Sequence, residues 1–417
     1  MQILQPVRGT SDLMPSDKAR QNHVIDTAKR IASLYGFQDM ATPIFEFTDV
    51  FRRPLGDASD VVSKETYSFE DRGGTEITLR PENTAAVMRA VISNGLTQTL
   101  PQKYVYAGPM FRYERPQKGR MRQFHQIGVE LIGPSSALAD AEVIGCGADL
   151  LAELGVLDDC TLHLNSLGDT QSRDAYRSAL VSFLAQFKDE LSEDSQRRLL
   201  QNPLRILDSK DARDKEIVAD APQLADYLND ASKAHYDLLI TALDKANIAY
   251  VADPLLVRGL DYYCHTAFEF ITDKLGAQGT VLGGGRYDGL SEMLGGPHLP
   301  AVGFAAGVER LSLLVESEMT PYCDVILVVM DSELQADGFA LASKLRHAGL
   351  SVDMPFSGNI SKKLKRADKI GAKLALLLGS QEFATGEVQL KSMATGESVT
   401  VALDGLTSHP LIAALSQ

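Results

Sequence analysis

Cysteine is scarce in this chain of 417 residues. Cys146, Cys160, Cys264 and Cys323 are scattered and form no C-x-x-C pair, which argues against a disulfide framework or a zinc site and fits a reducing cytosol. No apolar run is long enough to span a bilayer, so no membrane partner is expected. The segment "MQILQPVRGTSDLMPSD" lacks the basic-then-apolar layout of a signal peptide, and a cytoplasmic location is expected. Positive charge is in deficit. A net charge of −14 argues against broad, non-specific nucleic-acid binding, although a local basic patch is enough for a footprint. Two familiar nucleotide signatures are also missing: there is no G-x-x-x-x-G-K-[ST], and no G-x-G-x-x-G opens a helix.

What remains is an ordinary globular composition, 44% apolar and 23% charged, in a chain long enough for two or three domains. The acidic balance is broken locally in two places. Arg112, Arg115, Lys118, Arg120 and Arg122 face a single acid, Glu114, in sequence. Lys362, Lys363, Lys365, Arg366, Lys369 and Lys373 face only Asp368; taken alone, this second run reads as a solvated helix face.

Residues 17–35 have helical spacing, with Gly36 as a stop. "MATPIFEFTDVF" reads as short and extended, and "EITLRPENTAAVMRAVIS" as strand, turn and helix. "KYVYAGPMFRYE" and "RQFHQIGVELIG" read as antiparallel strands joined by the loop "RPQKGRM", and 139–155 as a helix. Residues 166–250 change character, rich in acids and helix formers, and read as an inserted helical domain. Strand character returns at 255–272 and in "GTVLGGGRYDGL", and "AVGFAAGVERLSLLVES" runs from strand to helix. From 321 onward strands alternate with helices, beginning at "CDVILVVM", the pattern of a small α/β domain over 321–417. The first domain is thereby divided into 1–165 and 251–320.

Side chains alternate along a strand, so Arg112 and Glu114 share one face, as do Phe124, Gln126, Gly128 and Glu130 on the next strand. Such a face offers a guanidinium for phosphate, a carboxylate for an amino group, an aromatic to stack and a space. A surface ion-pair ladder explains the first pair but not the second set. "LGGGRYDGL" permits close backbone approach, with a tight hairpin turn as the default reading. Arg310, early in the helix after Gly307, lies against the dipole preference and is expected to reach into a site. "PLLVRGLDYYCHTAFEF" opens like a buried strand and then inserts Arg258 and Asp261, charges that are costly in a core unless paired or used.

These stretches resemble the motifs of bacterial histidyl-tRNA synthetases, a family of class II aminoacyl-tRNA synthetases. "GFQDMATPIFEFTDVF", "MFRYE…RQFHQIGVE" and "VGFAAGVERL" resemble the three class motifs in order. "LVRGLDYY" and "GGRYDGL" resemble the two motifs peculiar to the histidine family, "TLRPENTA" its amino-acid-binding segment, and "NPLRILDSKD" a segment of its inserted domain. The resemblance covers essentially the whole chain. It implies an α+β catalytic domain with an antiparallel sheet flanked by helices, an inserted helical domain and a C-terminal α/β anticodon-binding domain. It implies a homodimer that takes ATP with Mg²⁺, L-histidine and histidine tRNA, and no tightly bound prosthetic group or resident metal.

The resemblance also implies residue roles. Arg112 and Arg310 would hold ATP phosphates, Glu114 the adenine amino group, and Phe124 the adenine ring; Arg112 would also be catalytic and in contact with histidine. Glu82, Thr84 and Gln126 would hold the histidine α-amino group, with Asn83 beside them, Glu130 and Tyr263 would contact the imidazole, and Tyr262 would also bind histidine. Gln117 would approach the tRNA acceptor end and Arg120 the triphosphate. Arg258 would be the cation facing the α-phosphate, beside histidine, with Asp261 orienting it or a neighbouring loop. His125 and Cys264 are read as bystanders. The segment departs from the usual R-P-E-G-T-A in having Asn83 for glycine, and asparagine tolerates left-handed dihedrals. A regulatory paralogue that partners ATP phosphoribosyltransferase is the alternative; it would lack the anticodon-binding domain and the arginine at 258.

Overall fold

The computed structural model describes residues 3–55, 65–117, 119–207, 209–257, 262–276, 279–316 and 323–415. They form two compact units, Met1–Ser317 and Glu318–Gln417.

The first unit is built on an eight-stranded sheet. In spatial order its strands are Gln38–Asp39, Gln102–Phe111, Gln123–Ile132, Ala301–Gly307, Thr280–Arg286, Cys264–Ile271, Thr161–Ser166 and Val251–Ala252. The inner six are antiparallel, as expected, and the two-residue strands at the edges pair in parallel. The alternation read from the sequence holds: Ile127, Val129 and Leu131 enter the core on one face, and Phe124 packs on the other. On the first face lie helices Pro15–Leu34, Ala137–Glu153 and Asp230–Lys245, which contribute Val24, Ile31, Val143, Leu151, Leu239 and Leu243. On the second lies helix Thr84–Ser93 with Met110, Tyr262, Tyr263 and Tyr287.

Three local readings are corrected. The strand containing Arg112 and Glu114 ends at Phe111, because Glu114 N donates to Arg112 O (2.8 Å) in a tight turn; Arg112 N still reaches Arg122 O at 2.9 Å. "LGGGR" is not a hairpin turn but the middle of strand Thr280–Arg286. A Cβ on Gly284 would overlap the Gly303 carbonyl and the Phe268 ring, so glycine there answers to close packing. Leu255, Leu256 and Val257 form no strand. Pro254 has no N–H for a ladder, Asp253 Oδ1 accepts from Leu255 N (3.1 Å), and the next strand among the described residues is Cys264–Ile271.

The helical region has its own core, from Tyr176, Leu180, Leu184, Leu199, Ile206, Ile217 and neighbouring residues up to Leu228. Helix Asp230–Lys245, by contrast, places Leu239 and Leu243 in the core of the sheet.

The second unit has a five-stranded sheet ordered Val352–Asp353, Val325–Val329, Leu374–Leu378, Glu387–Ser392, Ser398–Ala402. The first three are parallel and the last two antiparallel. Its basic helix, Ile360–Lys369, is not wholly solvated: Lys363 is buried and donates to Val329 O at 2.8 Å, while Lys362, Lys365, Lys369 and Lys373 stay exposed. No helix among the described residues is long and apolar enough to cross a membrane.

Candidate functional site

A cavity of about 480 Å³ opens over the second face of the sheet. Its floor includes the main chain of Gly283, Gly303 and Gly307. Gly303 has no room for a side chain, since a Cβ would overlap Glu130 Oε2 and Val129 O.

One end of the cavity is cationic and aromatic. Arg112 donates from Nε to Pro81 O (2.8 Å), and its guanidinium sits 5.3 Å from the centre of the Phe124 ring. Glu114 is shared between Arg112 (3.8 Å) and Arg120 (2.9 Å). Arg120 lies on the hairpin tip, where it exchanges backbone hydrogen bonds with Gln117 at 2.8 and 3.1 Å. Arg310 follows one turn after Gly307; burial and then the nearby Arg120 guanidinium lower its pKa. Glu269 and Glu114 oppose that lowering, so both guanidiniums sit among carboxylates at this end.

The other end is acidic and phenolic. Glu82 accepts from the N–H groups of Thr84 (2.6 Å) and Ala85 (3.1 Å), so its carboxylate supplies the cap at the start of helix Thr84–Ser93. Burial nevertheless raises its pKa. Thr84 Oγ1 donates to Glu130 Oε1 at 2.7 Å, and Tyr287 OH donates to Glu130 Oε2. Burial pushes Glu130 up to about 8, with the neighbouring Glu82 adding to the rise and the two hydroxyl donors opposing it. Gln126 Oε1 and Tyr262 OH are buried without a hydrogen-bond partner among the described residues.

Most of the expected residues converge here. Glu82, Thr84, Arg112, Glu114, Arg120, Phe124, Gln126, Tyr262, Tyr263 and Arg310 all line the cavity. Glu130 lies beneath it rather than on its wall, reached through Thr84 and Tyr287. Asn83 also departs from expectation. Its side chain does not line the cavity but accepts from Thr42 Oγ1 (2.7 Å) and Arg80 Nη1 (3.2 Å). Its backbone is right-handed, φ −117° and ψ −12°, so the missing glycine leaves no strain. Gln117 stands at the hairpin tip outside the cavity lining. Arg258 and Asp261 lie outside the described residues.

His125 is held by Glu309, which accepts from its backbone N–H and pairs with its ring at 2.9 Å. Cys264 is half-buried, its thiol pushed up to about 12 by burial, and its Sγ accepts from Asp288 N. Neither is poised as a nucleophile.

Sequence reasoning missed several residues of the site. Glu309 was adjacent to Arg310 and Tyr287 lay in the quoted "GGRYDGL". Arg205 lay in "NPLRILDSKD" and, with Arg197 and Arg198, lines the cavity from the helical region.

The family model described as "Histidyl-tRNA synthetase" matches residues 9–311. The chain belongs to the histidyl-tRNA synthetase family. An "Anticodon binding domain" model matches residues 323–409. A histidine–tRNA ligase of Gluconacetobacter diazotrophicus is 54% identical over 409 residues, covering 98% of this chain and 99% of that protein. One from Rhodospirillum rubrum is 54% identical over 406 residues, covering 97% of each. The crystal structure of apo S. aureus histidyl-tRNA synthetase superposes with a TM-score of 0.82 at 36% identity, covering 100% of both chains. The fold is therefore that of the class II family: a mixed sheet flanked by helices with a separate anticodon-binding domain. A regulatory paralogue without an anticodon-binding domain does not fit a match at 323–409.

Proposed function

We propose that the cavity activates L-histidine with ATP and passes it to histidine tRNA, the ligase activity of the family to which the chain belongs. One observation carries this reading at the level of residues. A cationic, aromatic end (Arg112, Arg310, Phe124) and an acidic, phenolic end (Glu82, Thr84, Tyr263) share one cavity. The first suits a nucleotide and the second an amino acid bearing a cationic amine.

In the first step a histidine carboxylate oxygen attacks the α-phosphorus of ATP. The new O–P bond forms as the bond to the β-phosphate oxygen breaks, and pyrophosphate leaves. Two anions must meet, so fixed cations are the main lever. Arg112 and Arg310 take phosphate oxygens, Phe124 stacks on adenine, and Glu114 accepts from its amino group. Glu82, Thr84 and Gln126 orient the histidine amine, with Glu130 acting through Thr84 and Tyr287 below. Arg258 is the cation we assign to the α-phosphate. Mg²⁺ would travel with ATP as part of the nucleotide substrate and would supply further neutralisation of phosphate charge. In the second step a hydroxyl of the 3′-terminal ribose attacks the carbonyl carbon, the histidyl ester forms and AMP leaves, with Gln117 near the acceptor end.

The experiment is histidine-dependent ATP–pyrophosphate exchange without tRNA, followed by tRNA charging. Exchange restricted to histidine among the amino acids is expected; its absence in the folded protein refutes the reading. Arg258→Ala is expected to slow exchange roughly 10²–10³-fold, the usual effect of losing one preorganised donor.

The three-stranded sheet Phe45–Phe47, Glu76–Leu79, Tyr67–Glu70 leaves Phe45, Phe47 and Phe69 exposed, beside exposed Ile44. We propose this apolar surface as the homodimer face, readable as twice the chain mass in sedimentation. The cytosol is the compartment in which we propose the enzyme works.

A further inference from the structure

The scheme above leaves one wall of the cavity unused. Helix Glu193–Gln201 and the 3-10 turn Pro203–Ile206 belong to the helical region, yet they bring Arg197, Arg198, Gln201, Asn202 and Arg205 to the cavity. The opposite side of the same segment is anchored. Ser195 and Leu199 are buried, and Leu199 and Ile206 sit in the helical core. A region that merely packed against the sheet would turn apolar residues toward it. This one turns hydrogen-bond donors, three of them guanidiniums.

The arginines are held in a built frame. Arg197 and Arg198 both reach the carboxylate of Asp194, Arg198 at 2.7 Å, and Arg198 Nη1 donates to Arg205 O at 3.3 Å, tying helix to turn. Beneath them lies Asp214, fully buried. It accepts from Ser192 N (2.9 Å), Ser192 Oγ (2.7 Å), Ser195 Oγ (2.6 Å) and Ser209 Oγ (2.6 Å). Ser192 caps the arginine-bearing helix and Ser209 follows the arginine-bearing turn, so one carboxylate fixes both ends of the wall.

We infer that Arg197, Arg198 and Arg205 form an outer phosphate site that takes the β- and γ-phosphates of ATP and the pyrophosphate they become. This rests on the adenylation reading above and deepens it. Attack at the α-phosphorus keeps that atom near Arg112 and the histidine carboxylate. The two outer phosphates carry most of the charge, and the pyrophosphate gains more as the bond to it breaks. Arg120 and Arg310 meet this charge from the sheet side, and the helical arginines meet it from across the cavity. Bidentate guanidinium contacts are the strongest neutral-pH partners for such oxygens. An RNA terminus presents the same phosphate chemistry, and the test separates the two sources.

The test uses the full-length protein with Arg205→Gln, the pair Arg197→Gln with Arg198→Gln, and Arg205→Lys. Arg197 is half exposed, so its loss leaves the fold intact, which circular dichroism checks. Each variant is read for KM of ATP, pyrophosphate and histidine in exchange, for equilibrium binding of ATP against AMP, and for KM of tRNA in charging. Losing a charge-assisted hydrogen bond predicts an increase of about tenfold or more in KM for ATP and pyrophosphate. Binding of AMP, which lacks the outer phosphates, and KM for histidine should stay unchanged, and Arg205→Lys should fall between wild type and Arg205→Gln. Unchanged KM for ATP in folded variants overturns the inference. So does a defect confined to KM for tRNA, which moves the arginines to the RNA. Equal weakening of ATP, AMP and histidine also overturns it, because that is the mark of a merely structural role. Failure of exchange in the unmutated protein would instead remove the adenylation reading itself.

Discussion

Glu130 shows how far a single side chain was legible. Strand alternation put it on the site face with Phe124 and Gln126, and it lies on that face. Its partners come from elsewhere in the chain: Thr84 from the helix N-terminus and Tyr287 from the end of a glycine strand. Periodicity gives the direction of a side chain but not what it meets, and so the carboxylate was expected on the cavity wall rather than below it. Asn83 came from the resemblance alone, which gave no sign that Arg80 and Thr42 would hold its side chain. Glu130 also carries a pH signature. Its folded pKa of about 8 stands above its ordinary 4.5, so between those values the folded chain holds a proton that the unfolded chain releases. The stability it contributes is complete below pH 4.5 and declines as pH rises toward 8. Melting curves of wild type against Glu130→Gln should show a stability difference that shifts against wild type across that window. A pH-independent difference would contradict the assignment.

Elements were read well where pattern and packing agree and poorly where a local bond overrides them. Strand Thr161–Ser166 was not read, but helices Pro15–Leu34 and Ala137–Glu153 and strands Gln102–Phe111, Gln123–Ile132 and Ala301–Gly307 followed from spacing. The turn at Asp253–Leu256 did not, because an apolar triplet looks like a strand until Pro254 and the Asp253 carboxylate are weighed. Strand Thr280–Arg286 was half hidden, because glycine is a poor strand former that only close packing against Gly303 and Phe268 explains. The arginine wall could not be seen at all, since its residues reach the cavity from a separate helical core. Its stability hangs on Asp214, whose loss would strand the hydroxyls of Ser192, Ser195 and Ser209. Asp214→Ala should destabilise the helical region by roughly 2–3 kcal/mol or more. Hydrogen exchange should report the opening between residues 191 and 220, with protection of the sheet strands retained. Uniform loss of protection throughout the first unit would show that the helical core does not open separately.

At the scale of the whole molecule, the sequence pattern changes near residue 321, and the compact units divide at Ser317 and Glu318. Each has its own core; that of the second includes Val325, Leu327, Leu376 and Leu390. The described residues that line the cavity belong to the first unit. A chain ended at Ser317 should therefore keep histidine-dependent exchange while losing most of its tRNA charging. Loss of exchange in a folded truncation would show that the second unit supports the cavity.

The glycine floor has a consequence for drug resistance. A compound lying flat on Gly283 and Gly303 would touch main chain, which mutation does not vary. At Gly303 even one methyl group would collide with Glu130 and Val129, so a change that expelled the compound there would also disorder the carboxylate beneath. Escape would have to come from the rim, where Arg197 is half exposed but its change would, on the inference above, also weaken ATP binding. Inhibitors that draw their affinity from the floor rather than the rim would leave a bacterium few single-step routes out.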